Sequence, residues 1–71
     1  MEKTVFTKKL GKNIAKLREE QEMTQVQLAK KCNKHKQNIN RLETGEINPT
    51  AFYLHEIAMA LKVPTTKLFD F

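Results

Sequence analysis

A chain of 71 residues, 39% of them apolar, has room for one domain and one compact core, because a chain this short buries only about 60% of the surface its unfolded form exposes. Thirteen Lys and Arg against eight Asp and Glu leave a net charge of +5. That excess fits a soluble basic protein or one with a polyanionic partner, nucleic acid or an anionic membrane surface.

A single cysteine excludes an intramolecular disulfide framework and suits a reducing compartment. No apolar run approaches the roughly 20 residues that span a bilayer. The opening MEKTVFTKKLGKN has no signal-peptide apolar region. The expected location is cytoplasmic.

Phe6, Leu10, Ile14 and Leu17 recur at helical spacing and predict a first helix over about residues 7–21. Lys8, Lys12 and Lys16 fall on another, solvated face. Residues 1–9 read as an extension leading into this helix, and residues 10–71 as the domain.

The segment MTQVQL carries two start signals for a second helix. Thr24 as N-cap puts Gln27 at the third helical position, a capping box, and Met23 can staple onto Leu28. This helix is expected to stop near Asn33, a residue that tolerates the left-handed backbone. KQNINRLETG then predicts a third helix, with Gly45 as its left-handed stop. EINPT is a loop by its Asn-Pro signal. Thr50 caps a fourth helix whose inner stripe is Leu54, Ile57, Ala58 and Leu61. Pro64 opens a short fifth helix with Leu68 inside. The expected fold is a compact, all-α bundle of five helices.

The third helix separates two faces. Successive helical residues turn by about 100°. With Ile39 facing the core, Leu42 and Glu43 fall on the inner half. Asn40, Thr44, Gln37 and Arg41 fall outward at roughly 100°, 140°, 160° and 200°, with Lys36 beside them. An inward acid is unusual. The outward set holds no acid and no large apolar group. It reads either as an ordinary solvated face or as a surface for base edges. Arg pairs in bidentate fashion with guanine, and Gln or Asn with adenine, while neighbouring lysines suit phosphates. Two short helices joined by a tight turn, the second polar and basic, match a helix-turn-helix, whose second helix enters the major groove.

Here the chain resembles the phage-repressor-like, Cro/C1-type (XRE) helix-turn-helix domains with the lambda-repressor-like fold. The residues that carry the likeness are Arg18 in KLRE, then TQ..LA, I..LE.G, NPT and A..L.VP...LF. It extends over about residues 10–69. The resemblance implies sequence-specific binding of double-stranded DNA by a transcriptional regulator. Lys36, Gln37 and Arg41 match positions that reach bases, and Asn40 joins them from the helical wheel. Gln25 would contact a phosphate and brace the start of the third helix. The loop from Glu46 to Thr50, including Asn48, would lie along the DNA backbone. Arg18 and Glu43 match an internal ion pair, which agrees with the inward position of Glu43.

The sequence departs from the family pattern at the turn. Asn33 replaces a usual Gly, Lys34 an apolar residue, and His35 a Ser or Thr cap. These changes add positive charge at the turn. Lys31, Lys34, His35 and Thr44 are the further candidates for phosphate contact, with a solvent-exposed role the alternative for His35.

One recognition helix reads only a few base pairs. A homodimer on a roughly palindromic site, with its two helices about 34 Å apart, is therefore expected. The carboxyl-terminal Leu68, Phe69 and Phe71 are candidates for its interface, with closure of the core the alternative for Leu68. A rival class is a protein-interaction module or antitoxin reusing the fold. Membrane-surface binding would need a helix that joins a basic face to a large apolar one, and none is seen. Cys32 and His35 lie at a metal-ligand spacing, but a structural zinc site needs four ligands and only His55 remains as a third. No metal or cofactor is expected. No nucleophile, phosphate loop or carboxylate pair indicates an enzyme.

Overall fold

The computed structural model describes all 71 residues. It contains four α-helices, α1 (Lys3–Glu20), α2 (Gln25–Lys31), α3 (Lys36–Glu43) and α4 (Ala51–Leu61), then a 3-10 helix at Thr65–Phe69. The expected fifth α-helix is therefore a single 3-10 stretch. The seven residues that follow Pro64 are too few for a stable α-helix, and tighter bonding is the usual solution for such short pieces. The first helix also starts earlier than the apolar stripe indicates. Residues 3–9 are its first turns rather than an extension.

The core gathers Leu10, Ile14 and Leu17 of α1, Leu28 and Ala29 of α2, Ile39 and Leu42 of α3, Leu54, Ile57, Ala58 and Leu61 of α4, and Leu68. Leu68 thus closes the core. Phe6 does not: it sits at the edge, 37% exposed, and its place on the inner face is taken by buried Thr7. Cys32 is half-buried, and its thiol donates to Leu28 O at 3.1 Å.

Where helices start, the sequence signals hold. Thr24 and Gln27 form the reciprocal capping box, and the Thr50 hydroxyl accepts from Tyr53 N. Where they end, one device is repeated. Behind α1, α2, α3 and α4, paired backbone bonds run back across a left-handed residue: Met23 N to Arg18 O, Lys34 N to Ala29 O, Glu46 N to Arg41 O and Val63 N to Ala58 O. This is the Schellman closure, which usually employs glycine. Here only Gly45 is glycine; Glu22, Asn33 and Lys62 take φ of 55°, 56° and 59°.

Two contacts fix α1 against the end of α3. Gly11 lies so close to the α3 backbone that a Cβ there would collide with the carbonyl oxygens of Leu42 and Glu43. Four residues earlier, the Thr7 hydroxyl donates to Gly45 O at 3.0 Å. At the other side, Asn13 is buried and its amide donates to Lys67 O at 3.0 Å and Leu68 O at 2.8 Å. That clamp holds the 3-10 helix on the bundle.

Candidate nucleic-acid interface

Ile39 and Leu42 are buried, so the inner face of α3 is fixed by apolar packing. Its opposite face then has to point outward. Lys36, Gln37 and Arg41 are exposed, and none of their side chains is engaged by a hydrogen bond or ion pair within the chain. No acidic residue occupies the first turn. Three long polar side chains, two of them cationic, are left free to meet a ligand.

Beneath that face is a polar brace. Arg18 grips Glu43 in two places, Nε to Oε2 at 2.7 Å and Nη2 to Oε1 at 3.0 Å, and its third nitrogen donates to Met23 O at 2.7 Å. Both side chains are largely removed from water, 10% and 5% exposed. Hydrogen bonding to Glu43 raises the Arg18 pKa above its ordinary value despite the opposing effect of burial. The Gln25 amide completes the brace, donating to Glu43 Oε1 at 2.9 Å. The inward position of Glu43 on the helical wheel is thus a structural one.

Gln25 links the helices differently from the expected bracing of the start of α3. It holds Glu43 near the end, and its Oε1 lies 3.5 Å from Asn40 Nδ2. Asn40 is accordingly only half-exposed. Of the four residues on the outer face, it is the one tied back to α2.

The turn residues divide. His35 caps α3 without a side-chain capping bond and remains exposed, and Lys31 is exposed at the end of α2. Lys34 is engaged inside the fold: its ammonium lies 2.8 Å from Glu56 Oε1 and 4.2 Å above the Tyr53 ring. The hydrogen bond to Glu56 raises its pKa, and burial raises those of Cys32 and Tyr53 beside it. The turn that joins α2 to α3 is therefore pinned to α4 by a cation where an apolar residue was expected. The Lys34 charge, a sequence candidate for a phosphate, thus has a carboxylate partner within the chain.

Thr44 and Asn48 are exposed past the end of α3. The Thr44 hydroxyl lies 2.7 Å from Glu46 Oε2. No three His, Cys, Asp or Glu side chains gather to hold a metal ion. No helix is long and apolar enough to cross a membrane.

The profile of a family described as helix-turn-helix matches residues 14–68, which includes α2, the turn and α3. The chain belongs to the helix-turn-helix family. The HTH-type transcriptional regulator y4dJ of Sinorhizobium fredii is 38% identical over 61 residues, 86% of this chain and 79% of that protein. Among solved structures, the helix-turn-helix fold of this chain superposes with a TM-score of 0.87 on the restriction-modification controller protein C.AhdI from Aeromonas hydrophila. That match is 24% identical and covers 89% of this chain and 96% of the other. An HTH_3 family transcriptional regulator from Vibrio cholerae gives a TM-score of 0.90 at 22% identity, covering 96% of this chain and 38% of the longer protein.

Glu22 and Lys62, Gly11, Thr7 and Asn13 escaped sequence reasoning. Asn13 left one readable sign, a polar residue one helical turn beyond Leu10 and beside Ile14, on the inner stripe itself.

Proposed function

We propose that this chain is a sequence-specific, double-stranded DNA-binding transcriptional regulator that lays the outer face of α3 in the major groove. One observation carries the reading. Lys36, Gln37 and Arg41 stand exposed and unengaged on a helix held rigidly from behind by Arg18, Glu43 and Gln25. A reading helix needs both properties. Its side chains must be free to pair with bases, and its backbone must be held well enough to keep their register.

Arg41 is the candidate for guanine and Gln37 for adenine, with Lys36 flanking them and Asn40 a base contact from its tether to Gln25. Phosphate contacts come from Gln25, Lys31, His35, Thr44 and Asn48. The protein works as a homodimer on a roughly palindromic site in the cytoplasm, without a cofactor and without enzymatic activity. Phe69 and Phe71 are exposed and gather around Phe6, with ring centroids 6.3 and 5.7 Å away. That apolar surface supports a place for the second copy.

Selection of bound sequences from random duplex DNA tests this reading. Enriched, two-fold-related half-sites and an affinity that falls steeply with salt are expected. Absence of enrichment together with salt-independent binding would instead favour a protein partner.

A further inference from the structure

The helix-turn-helix does not account for the first turns of α1, which begin at Lys3 and lie against the loop that follows α3. Their placement is fixed by contact. Lys8 packs so tightly on Gly45 that a Cβ there would come within 2.7 Å of Lys8 Cα, and Thr7 is bonded to Gly45 O at 3.0 Å. A shallow groove runs between the two segments, with Lys3, Thr4 and Lys8 along one wall and Thr44, Glu46 and Asn48 along the other. We propose that this groove is a second phosphate clamp, in which Lys3 and Lys8 hold the DNA backbone beyond the reach of α2 and α3.

Three observations support it. Lys3, Thr4 and Lys8 are exposed, and the cations with carboxylate partners are Arg18, Lys34 and Lys67, so both groove lysines keep their charge free. Glu46 is the acid in the groove, and its carboxylate is turned to the Thr44 hydroxyl at 2.7 Å. The first N–H groups of α1 also have no side-chain partner: no acidic residue lies in the first turn, and Glu2 at the N-cap makes no capping bond. N–H groups left without a partner at a helix amino terminus favour an anion. The opposite wall holds Thr44 and Asn48, so the clamp is continuous with the proposed DNA surface. It rests on the DNA reading above.

α1 supplies its own control. Lys9, Lys12 and Lys16 line a different groove, with Glu19, Asp70 and Phe71. They carry the same charge on the same helix, away from the loop.

The test compares wild type, Lys3→Gln/Lys8→Gln and Lys12→Gln/Lys16→Gln on one selected duplex, by anisotropy across a salt series. Glutamine keeps the side-chain stems that pack on Gly45, and thermal melting checks that the fold is retained. Removing two phosphate contacts should lower the slope of log affinity against log salt by about 1.8, equivalent to about a 60-fold loss at 0.1 M salt relative to 1 M. Discrimination against mutated duplexes should be unchanged, and Lys8→Arg should keep the wild-type slope. A wild-type slope in the Lys3/Lys8 variant overturns the clamp while leaving the DNA reading intact. An equal loss in the Lys12/Lys16 variant also overturns it, because general charge then explains the effect. A wild type that prefers no duplex overturns both.

Discussion

Replacing Glu43 by Ala should damage stability far more than the loss of one exposed acid. The substitution removes both Arg18 contacts and the Gln25 contact at once. Arg18 stays behind with its side chain 10% exposed, its bond to Met23 O, and only a distant carboxylate, Glu19 at 3.8 Å. Breaking a buried pair from one side costs about 3–5 kcal/mol. The retained Met23 bond places this case near 3. A domain of this size has a total stability of roughly 4–10 kcal/mol, and each kcal/mol shifts Tm by about 4–8 °C. A fall of at least about 12 °C is therefore expected in a thermal melt followed by circular dichroism. The second arm is Arg18→Met/Glu43→Leu, which removes both charges and keeps apolar volume. It should recover much of the loss, since the penalty in the single variant is the stranded guanidinium. A Tm within about 4 °C of wild type for Glu43→Ala would refute the reasoning. So would a double variant no more stable than the single one.

Asn13→Ala removes the amide that satisfies Lys67 O and Leu68 O, at a cost of about 1–3 kcal/mol. Hydrogen exchange should show the 3-10 helix opening first, and uniform loss across the bundle would contradict the clamp. Lys62→Gly should raise Tm by a few degrees: the left-handed backbone at φ 59° costs a lysine about 1–2 kcal/mol, offset by about 0.5–1 for the freedom glycine loses. An unchanged or lower Tm would argue against strain there. Cys32, Lys34 and Tyr53 all hold their protons above their ordinary values of 9.0, 10.5 and 10.0, through burial, the Glu56 bond and burial respectively. The folded state then binds more protons than the unfolded one at alkaline pH, so stability is complete below about pH 8.5 and declines as pH rises through these values. Melts between pH 8 and 10.5 should show a falling Tm, with its earliest part absent in Cys32→Ala; a flat profile would contradict the assignment.

The sequence announces what depends on local chemistry and hides what depends on approach. The Thr24–Gln27 box and the Thr50 cap are local hydrogen bonds between near neighbours, so residue types at fixed offsets disclose them. The inward Glu43 shows on a helical wheel because Ile39 and Leu42 fix the phase of α3. The left-handed ends at Glu22 and Lys62 leave no such mark, because each residue is forced there by the packing that follows, Met23 and Val63 against the core. Gly11 reads as a helix-weakening residue until α3 is seen against it. Lys34 is the clearest case: its partner Glu56 is 22 residues away, so its charge looks free in the sequence and is committed in the fold. At the interface, exposure of Lys36, Gln37 and Arg41 follows from the wheel. The tether on Asn40 depends on where α2 places Gln25 and cannot be read from α3 alone.

The central claim is that the outer face of α3 reads base sequence while the lysines around it supply affinity. It is tested most directly by measuring Arg41→Ala and Lys31→Ala against a selected duplex and its single-base-pair variants. Arg41→Ala should lose about 1–3 kcal/mol of discrimination at one base pair and keep it elsewhere. Lys31→Ala should weaken every duplex alike and reduce the salt slope by about 0.9. An Arg41→Ala protein that still discriminates at every position as wild type does would contradict the account.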